Sequence, residues 1–213
     1  VVLKPNFVST TVQAAATRRD AVEAVIEFLE GLGIEKFVLA EGPAGSRPLE
    51  EALRNFGYYG IEREHSVVFV DLNRTEYVPV RIYDRLGRPF TVRFSKVILE
   101  SEFVVSIALP KTHDTVVVTG AVKNLAMGAV QGEDKPRVHQ GYEMINVNLA
   151  ILASVRAPDL AVIDGYEGME GAGPVSGEIV KSMFALSSLD PVAADSEMAR
   201  LMGFNPSEIG YLW

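Results

Sequence analysis

The amino-terminal third of the chain has a hydrophobic pattern that predicts a strand, a helix and a second strand. Val1–Leu3 and Phe37–Ala40 are short apolar runs of the length expected for buried strands. Between them, Arg18–Gly31 has apolar residues at the i, i+3, i+4 and i+7 positions of one helical face and ends in glycine. The residues of this face are Val22, Val25, Ile26 and Leu29. Such a β–α–β unit predicts parallel strands joined by a right-handed crossover.

The middle of the chain contains three segments with strand-like patterns. Residues 66–71, 77–83 and 90–94 are rich in β-branched and aromatic side chains. In the last two segments apolar and polar residues alternate, which is typical of an antiparallel pair with one face in water. Arg85–Arg88, between them, has the composition of a hairpin turn. We therefore expect an antiparallel β excursion from the main sheet at about residues 66–95, either as a subdomain or as a flap.

The carboxyl-terminal half continues the alternation of strands and helices. Ser101–Leu109 and Leu160–Ile163 have the apolar character of core strands, and Tyr142–Val155 has that of a helix. Asp190 followed by Pro191 predicts the capped start of a last helix. The pattern as a whole predicts an α/β fold with a mixed, largely parallel sheet flanked by helices, in a single domain. Because the chain does not begin with methionine, we interpret it as a piece of a longer protein.

Composition narrows the classes of function. The formal net charge is −8, which disfavours nucleic acid and anionic membranes as partners because both bind to basic surfaces. The chain has no cysteine, so it cannot contain a cysteine-ligated iron–sulfur cluster, a zinc-thiolate site or a disulfide. No apolar run approaches the roughly 20 residues of a membrane span. We expect a cytoplasmic protein.

Pro110–Gly141, which we predict to be a long loop, contains most of the candidate chemistry. It has four basic and three acidic residues within a chain of net charge −8, and it includes two of the three histidines. The side chains of interest are Lys111, His113, Lys123, Asn124 and His139. Long segments with such residues between packed elements are more often binding loops than connectors. Lys123 lies in a small, apolar run, where an ammonium group without a partner is costly.

A second segment, Asp164–Gly177, has the opposite character. It contains Asp164, Glu167 and Glu170 among glycines, and no basic residue occurs between Arg156 and Lys181. This segment and Pro110–Gly141 each follow a predicted core strand. If both strands belong to one parallel sheet, both segments leave the same edge of the sheet and can meet.

Three kinds of site fit these residues. The first is an anion site, in which Lys111 and Lys123, together with Asn124 and backbone N–H groups of the glycine-rich turns, would bind a phosphate or a carboxylate. His113 and His139 with Asp164, Glu167 or Glu170 would form a two-imidazole, one-carboxylate set for a divalent transition metal. The same histidines, with Lys123, would also suit acid–base catalysis near neutral pH.

Further ligand-binding candidates lie at the ends of other elements. Lys4 and Asn6 follow the first predicted strand, and Glu41 begins the glycine-rich turn 41–46 after the second. Asp195 falls inside the last helix, where its carboxylate faces either solvent or the site. Ordinary turn or capping roles are the competing interpretation for each of these residues.

The sequence resembles the family called domain of unknown function 362 over nearly its whole length. The similar pieces, in order, are Leu3–Asn6, Leu109–His113, Thr119-Gly120, Lys123-Asn124, His139, Pro158–Leu160, Ile163–Gly165, Met169–Gly171, Gly173-Pro174, Asp190–Asp195 and Leu201–Gly203. Members of this family often have a ferredoxin-like iron–sulfur segment, which implies an iron–sulfur domain or protein as a partner. The order of the motifs is also similar to that of the nickel-pincer lactate racemase group, from which we transfer no residue role.

Taken together, the sequence predicts an enzyme-like domain that binds a small anionic molecule, a divalent metal, or both. The site would lie between the Lys/His segment 110–141 and the acidic segment 164–177. The alternative is a non-catalytic module that docks an iron–sulfur or other redox partner, with the antiparallel excursion as the contact surface. A structural interaction domain is the third reading of the same residues.

Overall fold

A six-stranded sheet forms the centre of the molecule. The computed structural model of the chain describes residues 1–45 and 47–213; Ser46, in the predicted glycine-rich turn, lies outside them. In spatial order the strands are β12 (Phe184–Ser188), β9 (Leu160–Gly165), β6 (Val104–Ala108), β1 (Val2–Lys4), β2 (Phe37–Glu41) and β3 (Val67–Asp71). All neighbouring pairs are parallel except β12 with β9. This arrangement confirms the predicted mixed, largely parallel sheet.

Helices cover both faces of this sheet. The first face packs on α1 (Arg19–Gly31), α2 (Leu49–Asn55) and α3 (Ile61–Glu64), and the second on α5 (Ala121–Ala129), α7 (Gly141–Val155) and α8 (Pro191–Leu201). Two short helices, α4 (Lys96–Glu100) and α6 (Lys135–Val138), complete the set. Neighbouring strand residues alternate between the two cores: Leu3 packs toward α1, whereas Val2 packs toward the other layer. The predicted apolar face of α1 is buried.

The antiparallel excursion is shorter than predicted. It consists of the hairpin β4 (Tyr77–Tyr83) and β5 (Pro89–Ser95), whereas β3 is the parallel edge strand of the main sheet. The hairpin packs firmly, since Asn148 of α7 accepts a hydrogen bond from the Tyr83 N–H at 2.9 Å and donates one to its carbonyl at 2.8 Å. Its apolar face, Val80, Ile82, Val92 and Phe94, is part of the core.

Pro110–Gly141, predicted as one long loop, is mostly regular structure. β7 (Lys111–His113) and β8 (Val117–Thr119) pair in a small sheet with β10 (Gly168–Glu170) and β11 (Glu178–Val180). α5 and α6 follow. The composition of α5, rich in alanine with leucine, methionine and lysine, favours a helix. The loop prediction was wrong: Gly120 and Gly128, which suggest a loop in the sequence, allow Asp195 and Lys4 to approach the two ends of α5 closely.

The last helix begins as predicted. Asp190 accepts hydrogen bonds from the N–H groups of Val192 and Ala193, both at 3.0 Å, so it is the N-cap of α8. No helix of the described residues has the length and apolarity needed to cross a membrane.

Candidate functional site

The sheet has a topological switch point between β1 and β6. From β1 the chain continues outward to β2 and β3 on one side, whereas β6 is followed by β9 on the other. Lys4 ends β1 and Glu41 ends β2, so both lie at the carboxyl edge of the sheet. Open α/β sheets bind ligands in the crevice at this place.

A closed hydrogen-bond network fixes Lys4 at this edge. The fully buried ammonium group pairs with the Glu41 carboxylate and donates to Asn124 Oδ1 at 2.9 Å and to the Pro5 carbonyl at 2.7 Å. Asn124 Nδ2 donates in turn to the Lys4 carbonyl at 3.1 Å and to Ser106 Oγ at 3.0 Å. Burial lowers the pKa of Lys4, and Glu41 opposes that shift. The Lys4 network is therefore internally satisfied.

Lys111 lies behind this network. Its ammonium group donates to Asn6 Oδ1 and to the Ala15 carbonyl at 2.8 Å, and Asn6 Nδ2 donates to Asn124 Oδ1 at 3.0 Å. Burial, together with the positive charge of Lys123, lowers the pKa of Lys111 to about 7. Lys111 thus contributes positive charge and orients Asn6.

A cavity of about 440 Å³ opens in front of the Lys4 network. Lys4, Asn6, Glu41 and Asn124 line it, together with residues of α5, of α6 and of the end of β7. Its other polar wall residues are His113, Thr119, Lys123, Lys135 and His139. We call it the cationic cavity, because Glu41 is its only carboxylate among the described residues.

The two histidines that the sequence analysis singled out lie together in this cavity. Their rings stack with 6.2 Å between centroids and 18° between planes, although 26 positions separate His113 from His139 in sequence. His139 Nδ1 lies 3.1 Å from the Lys135 carbonyl, which can only accept, so Nδ1 holds the hydrogen and Nε2 has the free lone pair.

His113 has the opposite tautomer. Its Nδ1 accepts from the Thr115 N–H at 3.1 Å, which places the hydrogen on Nε2. Asp114 Oδ1, 2.9 Å from the same nitrogen, would favour a hydrogen there instead. The amide decides, because it can only donate, whereas the Asp114 side chain is 77% exposed and its Oδ1 already accepts a hydrogen bond from Thr115 Oγ1 at 3.0 Å.

Both imidazoles are neutral near pH 7. Burial, followed by the charge of Lys123, lowers the pKa of His113 to about 3. Burial also lowers the pKa of His139, against the opposing hydrogen bond to the Lys135 carbonyl. The histidine pair therefore presents one N–H donor, on His113, and one lone pair, on His139.

Lys123 is the unpaired cation of the cavity. Its side chain comes from α5 and is only 7% exposed, yet its ammonium group has no hydrogen-bond or ion-pair partner within the described part of the chain. Burial lowers its pKa to about 8, with the Asp114 charge opposing the shift. An almost buried ammonium group without a partner is costly, and an anion in the cavity would compensate it.

Lys135, which the sequence analysis did not select, closes the carboxyl end of α5. Its ammonium group donates to the carbonyls of Met127, Gly128 and Val130 at 2.7, 3.2 and 2.7 Å. Burial lowers its pKa to about 7. A lysine six residues past the helix end is a weak signal from sequence alone.

The acidic segment does reach the Lys/His segment, because β10 pairs with β7 through Met169 and Lys111. Its three carboxylates, however, do not enter the cationic cavity. Asp164 accepts from the Tyr166 N–H at 3.1 Å, Glu167 lies 3.8 Å from Arg18, and the exposed Glu170 lines a separate groove.

The predicted metal set is therefore not assembled. The described residues contain no group of three or more His, Cys, Asp or Glu side chains placed to hold a metal ion. His113 and His139 meet in the cavity, but Asp164 and Glu167 line a groove beside Arg18 and Glu170 lines another one. The carboxylate that does lie at the cavity is Glu41.

Asp195 also has a different place from the one predicted. Its fully buried carboxylate accepts from the N–H groups of Ala121 and Val122 at 2.6 and 3.0 Å and thereby caps α5. Burial raises its pKa to about 7. Both carboxylate oxygens are occupied and the residue does not line the cavity, so the contacts shown are those of a helix cap, and ligand binding by Asp195 stays a prediction.

The fold and the site define an α/β domain with a cationic cavity at the switch point of its sheet. The chain belongs to the family called domain of unknown function 362, whose model matches residues 1–200. It is 26% identical over 217 residues to the thylakoid-associated protein sll1697 of Synechocystis, covering 98% of this chain. The chain spans 64% of the length of that relative.

Two solved structures share the fold. One is the lactate racemase apoprotein of Thermoanaerobacterium thermosaccharolyticum, with a TM-score of 0.56 and 14% identity over 98% of this chain and 48% of that one. The other is a structural-genomics crystal structure from Thermotoga maritima, with a TM-score of 0.57 and 11% identity over 95% and 54% of the two chains. At these identities the likeness extends to the fold alone.

Proposed function

We propose that the cationic cavity binds a small carboxylate and that the histidine pair assists proton transfer at the carbon next to a carbonyl or carboxyl group. The observation behind this proposal is that an unpaired ammonium group, Lys123, shares one cavity with two neutral imidazoles of opposite tautomer. Inorganic phosphate is also an anion but has no C–H group to ionise, so the histidine pair favours a carbon acid.

The proposed role of each residue follows from the atom that it presents to the ligand. His139 Nε2 would accept the proton from carbon, and the electron pair would move onto the carbonyl oxygen. The neutral His113 Nε2–H would donate a hydrogen bond to that oxygen, in the way neutral imidazoles stabilise enolates. Lys123 would balance the charge of the bound anion. Return of the proton from His139 to carbon would complete exchange or isomerisation.

Hydrogen–deuterium exchange at carbon tests this function without a known product. Pyruvate, acetoacetate, malonate and lactate would each be incubated with the protein in D₂O and followed by proton NMR. We expect exchange faster than in protein-free buffer for at least one of them, and loss of that acceleration in His139→Gln. His65→Gln is the matched control, since His65 pairs with Glu30 on an exposed surface outside the cavity.

Two outcomes would count against the proposal. Exchange that persists in His139→Gln would remove the proposed base. Tight binding of a carboxylate with no exchange for any compound of the panel would leave a binding module and no enzyme.

The other predictions from the sequence are tested separately. A divalent transition metal bound through His113 and His139 would need further ligands from substrate, water or a partner. Elemental analysis of the tag-free protein measures the metal content, and the His113→Ala/His139→Ala double variant is the control. The iron–sulfur partner and the cytoplasmic location stay predictions. For the former, co-purification with a ferredoxin-type protein is the direct assay.

A further inference from the structure

Apolar side chains form a large part of the wall of the cationic cavity. They are Phe7, Val8, Ala44, Met127, Pro136 and Pro174. Phe7 is buried, whereas Val8, Met127 and Pro174 are partly exposed and line the open space. Apolar surface in contact with water is unfavourable, so a ligand that covered this wall with apolar groups of its own would be stabilised.

Met127 lies beside Lys123 on the surface of α5. The two residues are four positions apart in one helix, and side chains with this spacing are neighbours on the same face, with about 5–6 Å between their Cβ atoms. Both of them line the cavity. An anion whose charged group meets the Lys123 ammonium group therefore has Met127 within reach of the atoms that follow that group.

Most polar side chains of the wall are already engaged within the protein. The Lys4 network satisfies its own members, Asn6 joins Lys111 to that network, and Lys135 donates to three carbonyl groups. Within the described part of the chain, this leaves one ammonium group, that of Lys123, and the histidine pair to bind a ligand. A sugar or a nucleotide would leave most of its hydroxyl groups without partners here, and a dianion would find one unpaired cation for two charges.

The cavity is also much larger than a carboxylate group. Its volume of about 440 Å³ equals that of roughly 15 water molecules at about 30 Å³ each. It lies within the range of roughly 300–1,000 Å³ that is typical of small-molecule sites. Acetate or pyruvate would fill a small part of it and leave the apolar wall in water, whereas a longer apolar chain would displace that water.

We propose that the ligand of the cationic cavity is a monocarboxylate with an apolar body several carbon atoms long, which packs against Met127, Val8 and Pro174. This inference rests on the proposed carboxylate site and adds the class of ligand. The carboxylate pairs with Lys123, and burial of the aliphatic or aromatic body supplies a large share of the affinity.

Acetate, butanoate and hexanoate test this class, because they differ only in the length of the apolar chain. Calorimetry or NMR titration would measure their dissociation constants. We expect affinity to rise about threefold per methylene, so that hexanoate binds on the order of a hundredfold more tightly than acetate. Adipate has as many carbon atoms as hexanoate but ends in a second carboxylate, which would lose water against an apolar wall. It should bind about tenfold more weakly than hexanoate, or worse.

Met127→Gln tests the wall itself, since glutamine is polar, has nearly the length of methionine and favours helices equally well. It should reduce the preference for hexanoate over acetate about fivefold or more, with little change for acetate. Met144→Gln is the matched control, because Met144 is also a partly exposed helical residue but lies on α7 outside the cavity. Val8→Thr, a nearly isosteric change in another part of the wall, is measured beside it and keeps the test available if Met127→Gln does not fold.

The outcomes separate this inference from the proposed function. Equal affinities for acetate and hexanoate, both lost in Lys123→Met, would overturn the apolar class and still support the anion site. The same holds if adipate binds as tightly as hexanoate. A rise along the series that persists in Met127→Gln and Val8→Thr would place the chain elsewhere on the protein and overturn the inference. If Lys123→Met binds every acid as the wild type does, or if none of them binds, the anion site itself is wrong and the ligand class with it.

Discussion

The cationic cavity and the acidic segment 164–177 have similar densities of charged residues but opposite environments. Lys4, Lys123 and Lys135 line the cavity and Lys111 lies behind it; all four are buried, and burial lowers the pKa of each. In the acidic segment, Glu167 forms a long, exposed contact with Arg18, and Glu170 faces solvent. Burial therefore distinguishes the cavity from the acidic segment. Water screens the carboxylates of the acidic segment, whereas the buried lysines interact more strongly with an anion that enters the cavity.

The largest expected effect is a loss of folding stability when Glu41, the carboxylate of the cationic cavity, is replaced. Glu41→Gln leaves the buried Lys4 ammonium without its charged partner and should lower the free energy of unfolding by about 3 kcal/mol. Urea denaturation measures this change. Glu167→Gln, in the acidic segment, is the control and should leave the denaturation midpoint unchanged. A wild-type midpoint for Glu41→Gln would show that the Lys4–Glu41 pair is not the centre of the network.

The next largest effect is expected on the affinity for anions when Lys123 is replaced. Lys123→Met removes the unpaired cation while keeping a side chain of similar length, so the affinity for a simple carboxylate such as acetate should fall about tenfold or more. The ligand-free protein should not lose stability, because an uncompensated buried charge has been removed. Lys36→Met is the matched control: Lys36 is exposed and precedes β2, at the edge of the sheet opposite the cavity. Equal losses in both variants would indicate a nonspecific charge effect.

The affinity for an anion should depend on pH through the protonation of Lys123. An anion favours protonated Lys123, whose pKa in the free protein is about 8, so affinity should be constant at lower pH and fall as pH rises through 8. Above that pKa the decline approaches tenfold per unit until the raised pKa of the complex is reached. Lys111 and Lys135, with pKa values of about 7, add a shallower decline from pH 7. Calorimetry from pH 6 to 10 measures the profile, and Lys123→Met should lose its steep part.

The smallest effect is expected in the acidic segment. Replacing Glu167 and Glu170 together by glutamine removes two exposed charges outside the cationic cavity, so affinity for acetate should stay within about twofold of wild type at 0.15 M salt. A large change would place these carboxylates closer to the ligand than the fold does. The same titrations used for Lys123 provide the measurement.

Much of the fold could be predicted because it depends on local pattern. The apolar stripe of α1, the β4–β5 alternation and the Asp190 cap each depend on residues a few positions apart, and the structure confirms all three. The parallel sheet followed from the order of strands and helices. The approach of the segments 110–141 and 164–177 was expected because strand ends of one parallel sheet meet at one edge, and β10 does pair with β7.

The tertiary structure decided what each polar residue does. Lys4 and Asn124 are 120 positions apart, and Asp195 caps a helix 74 positions before it, so no local pattern specifies these contacts. Sequence reasoning did not select Thr119 or Lys135 as site residues for the same reason. The sequence determines which side chains are available and at which edge of the sheet they lie. This is so because the hydrophobic repeat of each strand and helix involves residues that are close together in the chain. Which charges are buried, paired or left facing a cavity depends on long-range packing, and only the folded chain settles it.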